Sequence, residues 1–260
     1  MASMPKAGAR DPRQLTILVI SDPEFLPRLE TLLGSVARHV PDTRVHACLV
    51  NVTNPADVTR LRAIHPRITI AHHYELLNDK EVQIGLDGLT RFTEKAGYCV
   101  NLRARALQSL LKDGHDYVLF MDADCIVRRE LSGLLDLMDG CDIVIHKRDS
   151  APDFMRVCAA LIGVRRTAAS MDFVRRLVRR IDEIGNRLFF SDQLAFHQVA
   201  SSGDSAAVIA HLPSTFIDWE FRPNSHIWTG KGQRKFENMV YREEEARYRS
   251  QIKESNQCHT

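Results

Sequence analysis

Short apolar, β-rich runs alternate with segments of helical periodicity four times in about the first 120 residues, and few folds satisfy that order. "LTILVISD" (15–22), "TRVHACLVN" (43–51), "RITIAHHYE" (67–75) and "DYVLFMDAD" (116–124) read as strands. Between them, "PEFLPRLETLLGSVARHV", "NPADVTRLRAIHP" and the stretch from about Leu89 to Lys112 carry apolar residues at helical spacing. Asn54 is placed to cap the second helix and Pro66 to end it. The strands are apolar throughout rather than alternating, which suits strands buried on both faces. The pattern implies an α/β fold: a Rossmann-type, mostly parallel central sheet with helices on both faces.

The second half is less regular. "CDIVIHKR" (141–148), "RVCAALIGVR" (156–165) and "AAVIAHLP" (206–213) read as strands. "ELSGLLDLMD", "TAASMDFVRRLVRRIDEI" and "FFSDQLAFHQVAS" read as helices, the last with Ser191 as its expected cap. "RPNSHIWTGKGQRK" reads as a loop, and the charged stretch from Glu237 as a terminal helix. The expected plan is a flexible leader over 1–14, one domain over 15–235 and a charged helix or tail over 236–260.

Composition excludes several classes of protein. A net charge of +2 gives no basic footprint for nucleic acid. No apolar run approaches the length of a membrane span. Cysteines 48, 99, 125, 141, 158 and 258 form no C-x-x-C pair, so buried free thiols are expected rather than a metal cluster or disulfides. The leader has no apolar centre, so the expected location is cytoplasmic. Arg175, Arg176, Arg179 and Arg180 form a polar helix face opposite Phe173, Val174, Leu177 and Val178. That face reads as solvated, with peripheral membrane contact left open.

The acids that close "YVLFMDAD" carry the chemistry. In open α/β sheets, ligands bind beyond the carboxyl ends of the strands, where Asp122 and Asp124 fall. Residues i and i+2 of an extended segment face the same way. Two adjacent carboxylates resist joint ionisation and invite a hard cation such as manganese or magnesium.

The segment resembles the metal-binding D-x-D of GT-A fold glycosyltransferases, which use nucleotide-sugar donors. The likeness extends in order over roughly residues 15–235. "SDPEFLPRLETLLGSVARHVPDTRVHACLV" is similar to the opening strand–helix–strand of such enzymes, "SDQLAF" to the Asp-Gln segment of glycogenin-type and related retaining transferases, and "SHIWTGKG" to their late H-x-x-G-x-x-K segment.

The resemblance implies a fold with a C-terminal loop and helix, and a manganese (or magnesium) cofactor held by Asp122, Asp124 and His226. It implies donor contacts from Ser21, Asp22, Asp122 and Lys231, with Asp192 and Gln193 as the catalytic or sugar-gripping pair; from the shared helix of Asn101, Arg103 and Arg105, Arg103 or Arg105 is placed to reach the ribose or phosphates. The donor would be a UDP- or GDP-sugar and the acceptor a glycan, a lipid-linked sugar or a protein. The Asp-Gln likeness leans towards retention of stereochemistry. The chain departs from the family in two places: the late segment reads H-x-x-x-G-K, leaving Lys231 and Lys235 both open as the phosphate lysine, and Cys158-Ala159-Ala160 stands where the family has Asn-Ala-Gly. Two alternatives accompany this reading: a nucleotide-sugar or glycan-binding protein of the same fold without turnover, and a haloacid-dehalogenase-like phosphatase. A homo-oligomer is compatible with either.

Overall fold

The computed structural model describes residues 14–86 and 88–257. The strands are β1 (Leu15–Ser21), β2 (Arg44–Val50), β3 (Ile68–His73), β4 (Val82–Ile84), β5 (Arg91–Thr93), β6 (Tyr117–Asp122), β7 (Cys125–Val127), β8 (Ile143–Lys147), β9 (Val157–Arg165), β10 (Ile209–His211) and β11 (Ile227–Thr229). The helices are α1 (Leu26–His39), α2 (Pro55–Ile64), α3 (Glu94–Lys112), α4 (Ser132–Asp139), α5 (Ala168–Ile184), α6 (Ser191–Ser201), α7 (Arg234–Glu237) and α8 (Met239–Gln257).

Seven strands form one sheet in the order β10-β8-β9-β6-β1-β2-β3. β6, β1, β2 and β3 run parallel, while β9 runs antiparallel to both β6 and β8. The chain winds outward from β1 through β2 to β3, then crosses back to place β6 on the other side of β1. The carboxyl ends of β1 and β6 therefore flank the point where winding reverses, the position at which open α/β sheets form a crevice.

Successive strand residues feed opposite faces. Ile17, Val19, Leu119 and Met121 pack with α1 and α4 on one side, and Leu18, Ile20, Val118 and Phe120 pack with α3, α5 and α6 on the other. This sandwiching keeps β1 and β6 almost continuously apolar, whereas the edge strand β3 carries exposed Thr69 and His72.

Three expectations are corrected. The helix foreseen from about Leu89 begins at Glu94, because Arg91–Thr93 pairs with Val82–Ile84 and Thr93 Oγ1 accepts from the Ala96 amide to cap α3. Three-residue strands are too short to leave a period in the sequence. Ser191 is the first residue of α6 rather than its cap; Phe190 holds that place in the left-handed region at φ 73°. The expected loop 222–235 contains β11, which pairs antiparallel with β7. The terminal helix α8 packs on α1: His39 Nε2 lies 3.0 Å from the Tyr248 hydroxyl, and Tyr241 and Tyr248 are fully buried. The five cysteines among the described residues are free, as expected. Among the described residues, no helix is long and apolar enough to cross a membrane.

Gly97 sets the closeness of α3 to the segment before α6. A Cβ there would lie 1.9 Å from the Arg187 carbonyl oxygen. Asn101 Nδ2, one turn on, donates to the Gly97 and Leu188 carbonyls at 2.8 Å each. Gly97→Ala should therefore destabilise the protein by at least about 2 kcal/mol, as overpacking does. The measurement is a urea melt; a loss within experimental error would show that the two segments are not held this closely.

Candidate active site

The register Ile20↔Asp122 sets the ends of β1 and β6 side by side. Asp122 ends β6 with its side chain 36% exposed, while Asp124, two residues on, is buried. The Asp124 carbonyl accepts from the Gly230 amide at 2.9 Å and from the Tyr241 hydroxyl at 2.8 Å. Its carboxylate accepts from Lys235 Nζ through Oδ2 at 2.7 Å, and Oδ1 is buried without a partner.

Arg103, from α3, is the hub of the cleft. Its guanidinium lies 3.6 Å from Asp122 Oδ1 and 3.3 Å from Asp192 Oδ2, over the Phe120 ring at 4.5 Å. It also donates to the Val100 carbonyl at 2.6 Å and to the Ala159 carbonyl. These bonds fix a fork that would otherwise sweep solvent.

Asp192 stands in the first turn of α6, where the helix dipole favours an anion. The left-handed Phe190, two residues before Asp192, is a strained conformation of the kind that clusters at functional sites. No donor meets the Asp192 carboxylate in good hydrogen-bond geometry, although the Gln193 and Asp192 amides and the Arg103 charge lie close to it. Ser191 Oγ and Gln193 Oε1 are buried and unpartnered. Two unpartnered polar groups on either side of an imperfectly satisfied carboxylate are costly in a folded protein and fit a site that expects a polar ligand. Burial is the main cause that raises the Asp192 carboxyl above its ordinary range, opposed first by Arg103.

Lys231 Nζ lies 3.1 Å from Cys158 Sγ and 5.7 Å from the Trp219 ring centre, and its charge reaches Asp192. Ser21 Oγ donates to the Asp22 carbonyl at 3.2 Å. Asp22 accepts from the Glu24 and Phe25 amides at 3.0 and 3.1 Å, and Lys95 Nζ lies 3.6 Å from its other oxygen. Asp22 therefore ties the turn into α1 while standing at the crevice.

His226 stands apart from this group. The Gly230 amide bonds to Asp124, whereas the His226 carbonyl accepts from the Arg128 amide at 2.7 Å. Four residues of extended chain separate those positions, roughly 13 Å at the usual rise. The His226 ring donates from Nδ1 to the Glu130 carbonyl at 2.7 Å and stacks on Phe216 at 4.5 Å. Arg105 also points elsewhere, to Asp182 on α5.

The structure thus brings together Asp122, Asp124, Asp192, Arg103, Lys231 of the loop after β11 and Lys235 of α7. Two features escaped sequence reasoning: the Tyr241 bond to Asp124, and that Lys235 meets Asp124 while Lys231 reaches Asp192. A tyrosine 117 positions from its partner leaves no local signal.

Asp122 and Asp124 suit a hard divalent cation in donor type, and the orphaned Asp124 Oδ1 is an acceptor in want of a partner. Among the described residues no three His, Cys, Asp or Glu side chains converge to hold a metal. Magnesium-like ions are commonly held by one or two carboxylates with the remaining positions taken by phosphates and water, so the acid pair fits that role and His226 does not share it.

Burial raises the Asp122 carboxyl from an ordinary 3.8 to about 6; Arg103 opposes the shift and Asp124 adds to it. Although a third of the side chain touches solvent, protein crowds it on the remaining sides. Between those values the folded chain holds a proton that the unfolded chain has released, so stability falls as pH rises through the window. The penalty is complete above about pH 6. Asp122→Asn removes it. Its melting temperature relative to the native protein should climb between pH 4 and pH 7; a constant difference would contradict the shift.

No family model matches the sequence, and no curated protein matches it. Solved structures do. The glycosyltransferase GlyE of Streptococcus pneumoniae TIGR4 superposes with a TM-score of 0.61 at 11% identity, over 93% of this chain. This chain spans only 62% of GlyE. The galactosyltransferase LgtC, solved with donor and acceptor sugar analogues, gives 0.59 at 14% identity over 92% of this chain and 95% of LgtC. Mouse xyloside xylosyltransferase 1 gives 0.52 at 10% identity over 85% and 98%. The mixed, mostly parallel seven-stranded sheet is that of these proteins: the chain has the GT-A glycosyltransferase fold.

Proposed function

We propose that the protein is a glycosyltransferase that transfers a sugar from a nucleoside-diphosphate sugar with the aid of manganese or magnesium. The observation that carries this reading is the acid pair at the reversal point of the sheet, beside the end of β1, with Arg103 and Lys235 on the two acids and the buried Asp192 on the far side of Arg103.

Breaking the glycosidic bond loads negative charge onto the diphosphate as the sugar becomes oxocarbenium-like. A divalent cation at Asp122 and Asp124 would act as a Lewis acid towards that charge. The protein's own groups do the rest. Lys231 supplies positive charge on the leaving-group side, as preorganised cations do at developing anions. Arg103 holds Asp122 and Asp192 in fixed relation. Asp192 and Gln193 offer acceptors to sugar hydroxyls. The Ser21–Asp22 end of β1 would meet the nucleoside. The Asp-Gln likeness favours a retaining transferase, and the sugar moved is a hexose or a pentose. The acceptor is a saccharide, free or lipid-linked, or a protein.

The binding-only alternative has one observation in its favour: His226 is turned away from the acids. Incubation with UDP- and GDP-sugars, manganese and an acceptor panel separates the two. Release of nucleoside diphosphate supports transfer; binding without release supports the alternative. The phosphatase reading has no comparable support, since its nucleophile belongs on the first strand of the core and this acid pair follows β6.

A further inference from the structure

Asp124 is not an open ligand. Lys235 Nζ donates to its Oδ2 at 2.7 Å, and the lysine and aspartate side chains are only 12% and 7% exposed. The chain builds this contact deliberately close. A Cβ on Gly230 would lie 2.8 Å from Lys235 Cβ and 3.0 Å from the Tyr241 ring and hydroxyl, so glycine is what lets the loop fold back so tightly. The ammonium also lies 5.0 Å from the Phe25 ring centre and 5.7 Å from that of Phe236, and aromatic faces attract a cation. Asp122 has a separate counter-charge in Arg103. The diacid is thus balanced from two sides by the protein itself, yet Asp124 Oδ1 stays buried and unpartnered, so the carboxylate is only half satisfied.

We propose that Lys235 is an exchangeable resident cation: in the donor-free protein it occupies the Asp124 carboxylate that a divalent ion would use, and it must leave before such an ion can be held there. The inference rests on the donor-site reading above and deepens it. Two cations cannot share the Oδ2 edge, because like charges at contact repel in a site shielded from water. Lys235 leaves Asp124 at a cost, since the aspartate is buried, and the ammonium then needs another anion. A diphosphate provides one, so the protein gains a coupling between nucleotide and divalent ion without a third protein ligand. The coupling would also keep the donor-free site from collecting ions it does not use.

The test is the affinity of the full chain for manganese alone, without nucleotide, read from the electron paramagnetic resonance of free Mn2+. Lys235→Met should bind manganese at least tenfold more tightly than the native protein. Lys235→Arg should stay at native affinity, and adding Asp124→Asn to Lys235→Met should erase the gain. Equal affinity for native and Lys235→Met overturns the proposal, as does a gain that survives Asp124→Asn. Circular dichroism checks each fold; if Lys235→Met does not fold, Lys235→Gln carries the same expectation. Nucleotide-sugar binding is measured separately, and its absence would sink the donor-site reading while leaving the manganese result to stand or fall alone.

Discussion

Asp124→Asn should lower sugar transfer by about a hundred- to a thousandfold, the scale seen when one electrostatic contact to a developing anion is removed. Asp124 is the better ligand of the pair because the Gly230 amide and the Tyr241 hydroxyl clamp its backbone and leave the carboxylate little freedom. The substitution also strands the Lys235 ammonium in a nearly buried position. A fall in stability should accompany the fall in rate. Lys235→Met added to Asp124→Asn should restore much of the stability and none of the activity. The paired readouts are a denaturant melt and nucleoside-diphosphate release. Transfer within tenfold of native in a folded Asp124→Asn protein would remove Asp124 from the chemistry.

Arg103→Met should be the most destabilising single change in the cleft. It removes the shared counter-charge of Asp122 and Asp192 and frees the Val100 and Ala159 carbonyls. Breaking a buried ion pair from one side typically costs about 3–5 kcal/mol, because the surviving charge has no water to turn to. Methionine keeps most of the apolar stem, so the loss reports on the charge. The Arg103→Met/Asp192→Asn double variant should recover part of the loss, which a urea melt of the full cycle would measure. Additive losses would mean that the two side chains do not depend on each other.

The parallel half of the sheet was legible because β1, β2 and β6 are largely buried on both faces, which writes their length into the sequence as apolar runs, with the edge strand β3 following in the same alternation. The order of those runs placed the Asp122–Asp124 pair at a crevice before any contact was known. What could not be read depends on pairing at a distance. His226 lies in the expected late segment, but β11 runs antiparallel to β7 with Gly230 opposite Asp124, and every residue before that glycine steps away from the acids. The H-x-x-x-G-K spacing hinted at the departure without saying where the ring would go. The choice between Lys231 and Lys235 hinges on how the Gly230–Lys235 loop folds back, and no period encodes a loop. Asn101, Arg103 and Arg105 share a helix, yet the first two are buried and the third is exposed, because α3 is covered by both the sheet and its neighbouring helices. The likeness to GlyE and LgtC reaches the fold; the site must stand on its own residues.

A thermal-shift screen of nucleotide sugars, with and without manganese, tests the donor site most directly. A ligand held by the native protein alone, at a hundred times its dissociation constant, stabilises by about 2.7 kcal/mol. For a chain of this size that is a rise of roughly 5 °C or more. The expected result is such a rise with a UDP- or GDP-sugar in the presence of manganese, a smaller one without it, and none in Asp124→Asn. No shift with any nucleotide sugar while manganese is present would contradict the assignment.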